Sequence, residues 1–591
     1  MRASARQPEG KHSLIAGPPG RARTRWTAWL LAATAAAAVL AVAVWWTGGF
    51  SVRIAGVQVR SRTWVRPAIV ALAGAALLIW LERARVAGAL VRASRASASP
   101  WLARAMVGLA MAWTLSAGIV FGTYASGGAD SYGYSSQARL LAHGRLTDTV
   151  PIRRAFTWPD AEMTLTPLGY TRGQSPGVIA PRYPPGFPLL MAPLTVISES
   201  AIYFVVPVFG LLAVWGTYRL GVRLGDRLAG AFAAVALSLS PTFLFQVMQP
   251  MSDVPAAACW LLALLAAANR SPAAAVAAGA LTSVAILIRP NLAPLAALVS
   301  VPLVLGGTHG RAQRALLFAA AVTPGLVLLG WIQDVRYGSP LASGYGTLKD
   351  GFAPSNVPEN LARYPRWLTE THTWFIWLSA LAPLWIARRA ADRLLAWTAA
   401  ALAAAVWAAY LPYVYFQPNE WFYTRFLLPA IPVMLLFAMA VALWPLRRLP
   451  AAARAPAIAG LLLALLAAEF HIARTRGAFE IRFQERKYPL AGAFVRDRLP
   501  ATSFILAGQH SGSIRYYADR PTLRWDLLTP DRLDRAVSTL RAEGFEPFVV
   551  VDAGGEDEAF RRRFGEANQH AVRALTLLAV LGDARVYGFG R

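Results

Sequence analysis

Charged side chains are scarce in this chain of 591 residues: they make up 15% of it, whereas hydrophobic side chains make up 56%. A soluble domain carries about 25% charged residues, and here the shortfall lies in long apolar runs. This composition excludes an ordinary soluble enzyme and predicts a protein that crosses a lipid bilayer many times.

Acidic residues are much scarcer than basic ones, with 31 Asp and Glu against 58 Lys and Arg and a net charge of +27. A nucleic-acid partner would also favour such a surplus. The arginines, however, stand in short clusters between apolar runs, as topology signals do. We therefore expect no nucleic-acid partner, and we expect attraction to the bilayer and to anionic lipid or phosphate.

Cysteine occurs once, at Cys259 in an apolar run, so the chain cannot form an internal disulfide. A Walker lysine motif, a GxGxxG turn, an HExxH helix and a CxxC pair are all missing, and the seven histidines lack metal-ligand spacing. The sequence indicates no cofactor, and a divalent cation is left open as an alternative. His143 and His372 are solvated or could assist chemistry.

The apolar runs predict an all-α polytopic membrane protein with about 13 transmembrane helices. Residues 1–25 are predicted to be a disordered basic N-terminus, and 26–471 the transmembrane domain. The predicted helices begin near Trp26, Trp64, Trp101, Ala201, Leu228, Val254, Pro272, Leu292, Ala315, Thr373, Leu394, Phe426 and Ala457.

Arginine clusters alternate along these runs and predict the orientation of the chain. With the N-terminus inside, the cytoplasmic clusters are those at 83–95, 219–227, 269–270, 311–314, 388–393 and 447–454. Each of these clusters carries Arg, as the positive-inside rule asks, and only the outer loop at 47–63, with three Arg, fits the rule weakly. The outer face then receives loops 122–200 and 334–372, short loops at 247–253 and 412–424, and the C-terminus. We predict a multi-pass protein of the cytoplasmic (inner) membrane.

Residues 472–591 have the composition of a soluble α/β domain, which the topology places outside. Ser503–Ala507 and Pro547–Val551 predict buried strands, and Arg585–Phe589 a closing strand. Helices are predicted around Ile514–Asp519, Arg532–Glu543 and Glu558–Phe564. This segment is long enough to form a small core of its own.

The first outer loop carries Asp130 near its start, in GGADSYGY, ahead of a predicted helix that lies at the membrane surface and contains Tyr134. Asp130 can be a helix cap, or a carboxylate held ionised by backbone amides and able to accept a proton. Further along stand Arg172 and Arg182, with Tyr183 next in RYPPGFP. Arg182 either extends to the interface or binds a lipid-borne phosphate, and Arg172 is a weaker candidate of the same kind.

Three later outer segments carry further candidates. Asp253 in QPMSDVP either caps a span or supplies a second acid. Arg289 lies in a Pro-broken turn, and it either has only a structural role or faces an anionic ligand. The aromatic segment 413–425 forms an interfacial belt or stacks on sugar rings, with Glu420 and Arg425 as hydrogen-bonding groups.

These motifs together resemble the GT-C fold of membrane glycosyltransferases that use lipid-phosphate sugars. That family includes protein O-mannosyltransferases and aminoarabinose transferases, and the chain looks most like a bacterial dolichyl-phosphate-mannose-type branch of unassigned acceptor. The resemblance spans roughly residues 101–471 and rests on GGADSYGY, RYPPGFPLL, QPMSDVPA and RFLLPAIP in that order. The sequence departs from the family at Ser131, where several relatives have a second acid. At Tyr183 it departs from the aminoarabinose transferases, which often have Lys.

The resemblance implies transfer of a sugar from a polyprenyl-phosphate carrier to an envelope glycan, lipid or protein at the outer face. A phosphate leaves without a general acid if cations stabilise its charge, while the acceptor hydroxyl needs a base. The implied roles are Asp130 as base, Asp253 as second acid, and Arg182 and Arg289 as phosphate partners. A single displacement would invert the anomeric centre. The alternatives are a transporter or flippase of a lipid-linked or anionic substrate, and a scaffold.

Overall fold

The computed structural model describes residues 21–590 except 48–49, 55–56, 62, 64, 82–98, 152, 159, 308, 347–350, 416–420 and 566–568. The chain divides into two compact units. One is Met1–Ala96 with Pro450–Pro456, and the other is Ser97–Leu449 with Ala457–Arg591. Most of the predicted disordered N-terminus lies outside the described residues, and the first helix begins at Arg21 rather than near Trp26.

The smaller unit contains two apolar helices, Arg21–Thr47 and Val65–Leu81, which pack on each other. Between them the strands β1 (Phe50–Ile54) and β2 (Val57–Ser61) pair antiparallel. Both helices correspond to predicted spans.

The larger unit is mostly helical. Four of its helices are long and apolar enough to cross a membrane, namely Pro100–Val120, Ala201–Arg223, Arg311–Tyr337 and Arg393–Tyr410. So is Ala451–Thr475, whose first residues belong to the smaller unit. Two bent pairs raise the number of candidate spans to 7. Shorter apolar helices in this unit are Gly186–Thr195, Asp253–Ala267, Pro272–Ile288 and Leu295–Leu305. A polytopic helical architecture is confirmed, and the count of about 13 spans stays a prediction.

Both bent pairs have a local cause. Arg227–Leu239 ends before Pro241–Val247 with a bend of 60°, because Pro241 cannot continue the first helix and Ser240 caps the second. The backbone N–H of Phe243 donates to the Ser240 hydroxyl at 3.3 Å. The 3-10 helix Trp421–Leu427 meets Ile431–Leu446 at 89°, again with a proline at the start of the second helix.

Four of the predicted cytoplasmic clusters meet at one end of this unit. Asp226 pairs with Arg447, and Arg270 donates to both oxygens of Asp392 at 2.8 and 2.7 Å. The Arg223 guanidinium donates to the Ala268 carbonyl at 2.6 Å. The clusters at 219–227, 269–270, 388–393 and 447–454 therefore share one side of the protein, as the alternation of charge predicts. Their orientation relative to a membrane stays a prediction.

The first outer loop is folded, which the sequence did not suggest beyond one helix. It contains Asp130–Ala142, named here the loop helix, then the short helix Ala161–Leu165 and Gly186–Thr195. Strands β3 (Asp148–Thr149), β4 (Tyr170–Arg172) and β5 (Val178–Pro181) form an antiparallel sheet in the order β3-β5-β4. The loop helix is largely buried within the protein, and its predicted position at the membrane surface stays a prediction.

The remaining connections are helical. The second large outer loop ends with the helix Val357–His372, and the run near Thr373 forms the 3-10 helix Trp374–Leu381 and then Ala382–Arg389. Short 3-10 turns lie at Ala201–Phe204, Pro290–Leu292 and Pro354–Asn356.

The C-terminal elements agree with the prediction from sequence. Strands β6 (Ser503–Ala507), β7 (Thr522–Leu523), β8 (Glu546–Asp552), β9 (Leu575–Leu581) and β10 (Ala584–Phe589) form one sheet in the order β7-β6-β8-β10-β9. The contacts of β6 are parallel and those of β10 antiparallel. The accompanying helices are Ile481–Glu485, Lys487–Arg498, Ser511–Ala518, Leu533–Ala542, Gly555–Phe564 and Gln569–Arg573. We call 472–591 the C-terminal segment.

Candidate active site

A glycine turn positions Asp130. Gly128 has a φ of +57°, which glycine adopts at little cost, and a Cβ on Gly127 would lie 1.9 Å from the Tyr488 ring. The loop helix then begins at Asp130, with Ala129 at the N-cap position and no side-chain cap. The interpretation of Asp130 as a helix cap held ionised by backbone amides is therefore wrong.

The Asp130 carboxylate is held by two other side chains. The Tyr183 hydroxyl donates to Oδ1 at 2.6 Å, and the Arg425 guanidinium donates to Oδ2 at 2.7 Å. Burial raises the pKa of Asp130, but Arg425 and the Tyr183 hydroxyl outweigh this and leave it below its usual value. The carboxylate is consequently ionised at neutral pH, and about a quarter of its side chain stays accessible (26%).

A second carboxylate lies deeper. Asp253 is 2% exposed and accepts from the Arg289 guanidinium at 2.5 Å. The other terminal nitrogen of Arg289 donates to the Tyr410 hydroxyl at 2.8 Å. Asp253 begins its helix but makes no cap, so this interpretation is wrong as well. The sequence indicated both Asp253 and Arg289 as candidates, but it could not show that they form this buried ion pair.

Aromatic side chains connect the two ion pairs. The Tyr134 ring lies 4.8 Å from that of Tyr183, and its hydroxyl bonds to Ser252 beside Asp253 at 2.8 Å. Arg289 and Arg425 each lie 5.1 Å from the centre of the Phe426 ring. Two carboxylates and two guanidiniums thus form one compact, electrically balanced group.

Arg182 differs from these two arginines because it is exposed. Its Nε donates to the Gly344 carbonyl at 3.1 Å, and its guanidinium lies 5.6 Å from the centre of the Tyr345 ring. Among the described residues it has no carboxylate within ion-pair distance. The Tyr345 ring in turn meets Tyr183 at 6.0 Å, which places Arg182 beside the Asp130 contacts. Arg182 is thus an exposed cation beside the site with donors left for an incoming anion.

Other predicted residues do not join this group. Arg172 lies on β4 and pairs with Asp160 at 2.8 Å and Glu162 at 3.9 Å, so the structure removes it from the site. Glu420 lies outside the described residues. The His143 ring bonds to the Arg139 carbonyl at 2.8 Å.

His372 is buried rather than solvated. Its ring bonds to the Ser240 hydroxyl at 2.7 Å, and burial lowers the pKa of His372 to about 3. It therefore stays neutral and takes no part in the group around Asp130.

The structure adds residues that the sequence analysis missed, chiefly Tyr345, Tyr410 and Ser252. Tyr410 lies at the end of a predicted span. The only feature of the sequence that pointed to it was the run of aromatic residues that begins there. Ser252 stands directly before the predicted acid. Among the described residues, no group of three or more His, Cys, Asp and Glu could hold a metal ion.

The C-terminal segment contacts the turn that carries Asp130. The Tyr488 ring fills the space beside Gly127 and lies 4.7 Å from the His510 ring. The His510 imidazole bonds to Asp552 at 2.8 Å, and Asp552 also accepts from Lys487 at 2.5 Å. This chain of contacts fixes the position of Tyr488 and, through it, the glycine turn.

Known proteins share this architecture. The sequence model of glycosyltransferase family 87 matches residues 182–342. ArnT from Cupriavidus metallidurans bound to undecaprenyl phosphate is similar with a TM-score of 0.52 and 15% identity, over 83% of this chain and 98% of that chain. The archaeal oligosaccharyltransferase AglB from Archaeoglobus fulgidus, in complex with an inhibitory peptide and a dolichol-phosphate, gives 0.50 and 12%, over 83% and 74%. No curated protein matches the sequence. The chain has the GT-C fold.

This GT-C fold confirms the resemblance stated from the sequence motifs. The residues matched by the family model begin at Arg182 and include Asp253 and Arg289, whereas Asp130 and Arg425 lie outside them. Fold and match together indicate a membrane glycosyltransferase of the GT-C type. The roles of individual side chains stay predictions, because a likeness at this level of identity concerns the backbone.

Proposed function

We propose that this protein transfers a sugar from a polyprenyl-phosphate carrier to a hydroxyl group of an envelope acceptor, at the outer face of the cytoplasmic membrane. The observation that carries the proposal is the ionised, partly accessible Asp130 carboxylate, fixed between Tyr183 and Arg425. Two solved structures of similar fold contain undecaprenyl phosphate and a dolichol-phosphate respectively, which supports this class of donor.

Asp130 is the general base in this proposal. It accepts the proton of the acceptor hydroxyl while that oxygen forms its bond to the anomeric carbon and the bond to the phosphate breaks. The proton ends on the carboxylate and the electron pair of the broken bond ends on the phosphate. One displacement of this kind inverts the anomeric configuration.

Arg182 is the first contact for the donor phosphate, because it is exposed and its guanidinium has donors left over. In this proposal the donor phosphate reaches Arg425 after it has met Arg182. A phosphate that reaches Arg425 competes with Asp130 for the guanidinium, and this raises the basicity of the carboxylate when the donor is in place. Arg289 is committed to buried Asp253, so we assign that pair to holding the site rather than to binding phosphate.

The decisive experiment uses purified protein and a polyprenyl-phosphate sugar labelled in the sugar. Transfer to a membrane acceptor is expected from the wild-type protein, and Asp130→Asn is expected to lose roughly 10²–10⁴-fold in rate. A full rate in the Asn variant would reject Asp130 as the base.

Transport of a lipid-linked or anionic substrate is the second candidate, and one observation favours it. Glu469 lies in the candidate span Ala451–Thr475, where it is fully buried, and neither carboxylate oxygen has a hydrogen-bond partner among the described residues. Ionisable groups inside spans often mark transport pathways. Glu469→Gln should leave sugar transfer unchanged if the protein is a transferase. Loss of substrate translocation in proteoliposomes, with no transfer in the wild type, would support the transporter instead.

A further inference from the structure

A cavity of about 430 Å³ lies between the loop helix and the C-terminal segment. Its walls come from Tyr132, Ser136, Arg139 and Leu140 of the loop helix, from His143 just after it, from residues near β3 and β4, and from 515–521. All lining residues belong to the first outer loop or to the C-terminal segment, and none of them lies within a candidate membrane span.

The cavity is separate from the group around Asp130. An α-helix turns 100° per residue, so Tyr132, Ser136 and Arg139 share one face of the loop helix. Asp130 precedes Tyr132 by two positions and therefore points to nearly the opposite side. Its partners Tyr183 and Arg425 do not line the cavity.

Positive charge dominates the walls, which carry four arginines and two aspartates. Asp148 alone serves two of these arginines, Arg145 at 2.9 Å and Arg515 at 3.4 Å. Among the described residues, the Arg520 guanidinium donates only to the Ala518 carbonyl, at 3.2 Å. Arg139 pairs with Glu199 at 2.8 Å, so Arg520 is the guanidinium of the walls that has no carboxylate partner among the described residues, and it keeps donors for a carboxylate or phosphate.

Three tyrosine rings, those of Tyr132, Tyr170 and Tyr516, also line the cavity. The Arg139 guanidinium stacks on the Tyr516 ring at 3.8 Å, and Tyr132 and Tyr170 lie 5.6 Å apart. Burial raises the pKa of Tyr132 to about 12, so its hydroxyl keeps its proton and can donate. Flat rings, hydroxyl donors and guanidiniums in one cavity suit a sugar that bears a negative charge, whereas a prenyl chain would need apolar walls.

We propose that this cavity binds an anionic saccharide, a sugar carrying a carboxylate or a phosphate, as part of the acceptor. The acceptor role rests on the proposed transferase function, whereas the binding of an anionic sugar does not. In this arrangement the C-terminal segment and the first outer loop hold the acceptor jointly.

The test measures binding to the full-length protein in detergent by saturation-transfer NMR. Four probes are compared: glucuronic acid, glucose 6-phosphate, glucose and inorganic phosphate. We expect at least one of the two charged sugars to bind at least about tenfold more tightly than glucose, since a charge-assisted hydrogen bond is worth that factor. The charged sugar that binds identifies the anion as carboxylate or phosphate.

The variants localise the site. Arg520→Ala should weaken binding of the charged sugar about tenfold, and Arg562→Ala, an exposed arginine of the same segment away from the cavity, should leave it unchanged. Asp130→Asn should bind the sugar normally while failing in transfer, so the two proposals fail separately. Equal binding of glucose, binding of inorganic phosphate alone, or no effect of Arg520→Ala would overturn the proposal.

Discussion

At the scale of single residues, the two carboxylates of the site differ in what surrounds them. Asp130 is partly accessible and shares its charge between a hydroxyl and a guanidinium, whereas Asp253 is buried against Arg289. Accessibility suits a group that meets substrate, and burial suits a group that holds structure. The difference leads to separate predictions for the two residues.

Asp130→Asn should change stability little, because the amide oxygen can still accept from Tyr183 or Arg425. Asp130→Ala leaves Arg425 without its carboxylate in a site that is 14% exposed, and we expect a loss of roughly 1–3 kcal/mol. Both variants should fail in transfer. Melting temperature measured beside the transfer rate separates the two effects, and a stable, active Ala variant would contradict both assignments.

Asp253→Ala removes the partner of a buried guanidinium and should destabilise the protein by roughly 3–5 kcal/mol. Replacing both members of the pair by apolar residues, Asp253→Leu with Arg289→Met, should recover most of this loss because no unpaired charge remains. Denaturation of the purified variants in detergent measures both. A double variant as unstable as the single one would show that the pair does more than neutralise charge.

Arg182→Ala should weaken use of the lipid-phosphate donor and leave stability unchanged, since the side chain is exposed and bonds only to a backbone carbonyl. Arg182→Lys should recover part of the loss, because a point charge lacks the two-pronged geometry of a guanidinium. Arg172→Ala is the matched control in the same loop, and it should transfer normally. Unchanged donor kinetics in Arg182→Ala would leave Arg182 as a surface residue.

At the scale of elements, the glycine turn before the loop helix depends on the C-terminal segment. Gly127→Ala would place a methyl group inside the Tyr488 ring, so the turn must move and Asp130 with it. We expect transfer to fall by about tenfold or more, given the sensitivity of catalysis to small displacements. Gly460→Ala, in a helix with open space around it, is the control and should be neutral.

A second substitution decides whether the clash is the cause. Tyr488→Ala in the Gly127→Ala background removes the ring that the methyl group meets, and part of the transfer rate should return. If the double variant transfers no better than Gly127→Ala, the backbone conformation of the turn rather than Tyr488 limits activity.

At the scale of the whole molecule, the alternation of arginine clusters predicts that residues 472–591 lie outside the cytoplasmic membrane. An alkaline phosphatase fusion placed after Arg474 should be active, and a fluorescent protein at the same point should stay dark. The opposite pattern would invert the orientation and place Asp130 on the cytoplasmic side, where lipid-phosphate sugar at the outer face is out of reach.

The sequence by itself determined the helical membrane architecture, the grouping of the arginine clusters and most elements of the C-terminal segment. Those features follow from hydropathy, charge and strand patterns, which are local along the chain. It also indicated Asp130, Asp253, Arg182 and Arg425 as polar residues in the predicted outer segments of the protein. It could not say which acid pairs with which arginine, because residues such as Asp130 and Arg425 are far apart in sequence.

Only the tertiary structure decided those pairings. Asp130 and Asp253 each begin a helix, and local rules predicted caps at both positions. In the fold their carboxylates turn instead to Tyr183 with Arg425 and to Arg289, because a buried guanidinium without a carboxylate costs more than a missing helix cap. The cavity between the loop helix and the C-terminal segment likewise exists only where distant parts of the chain meet.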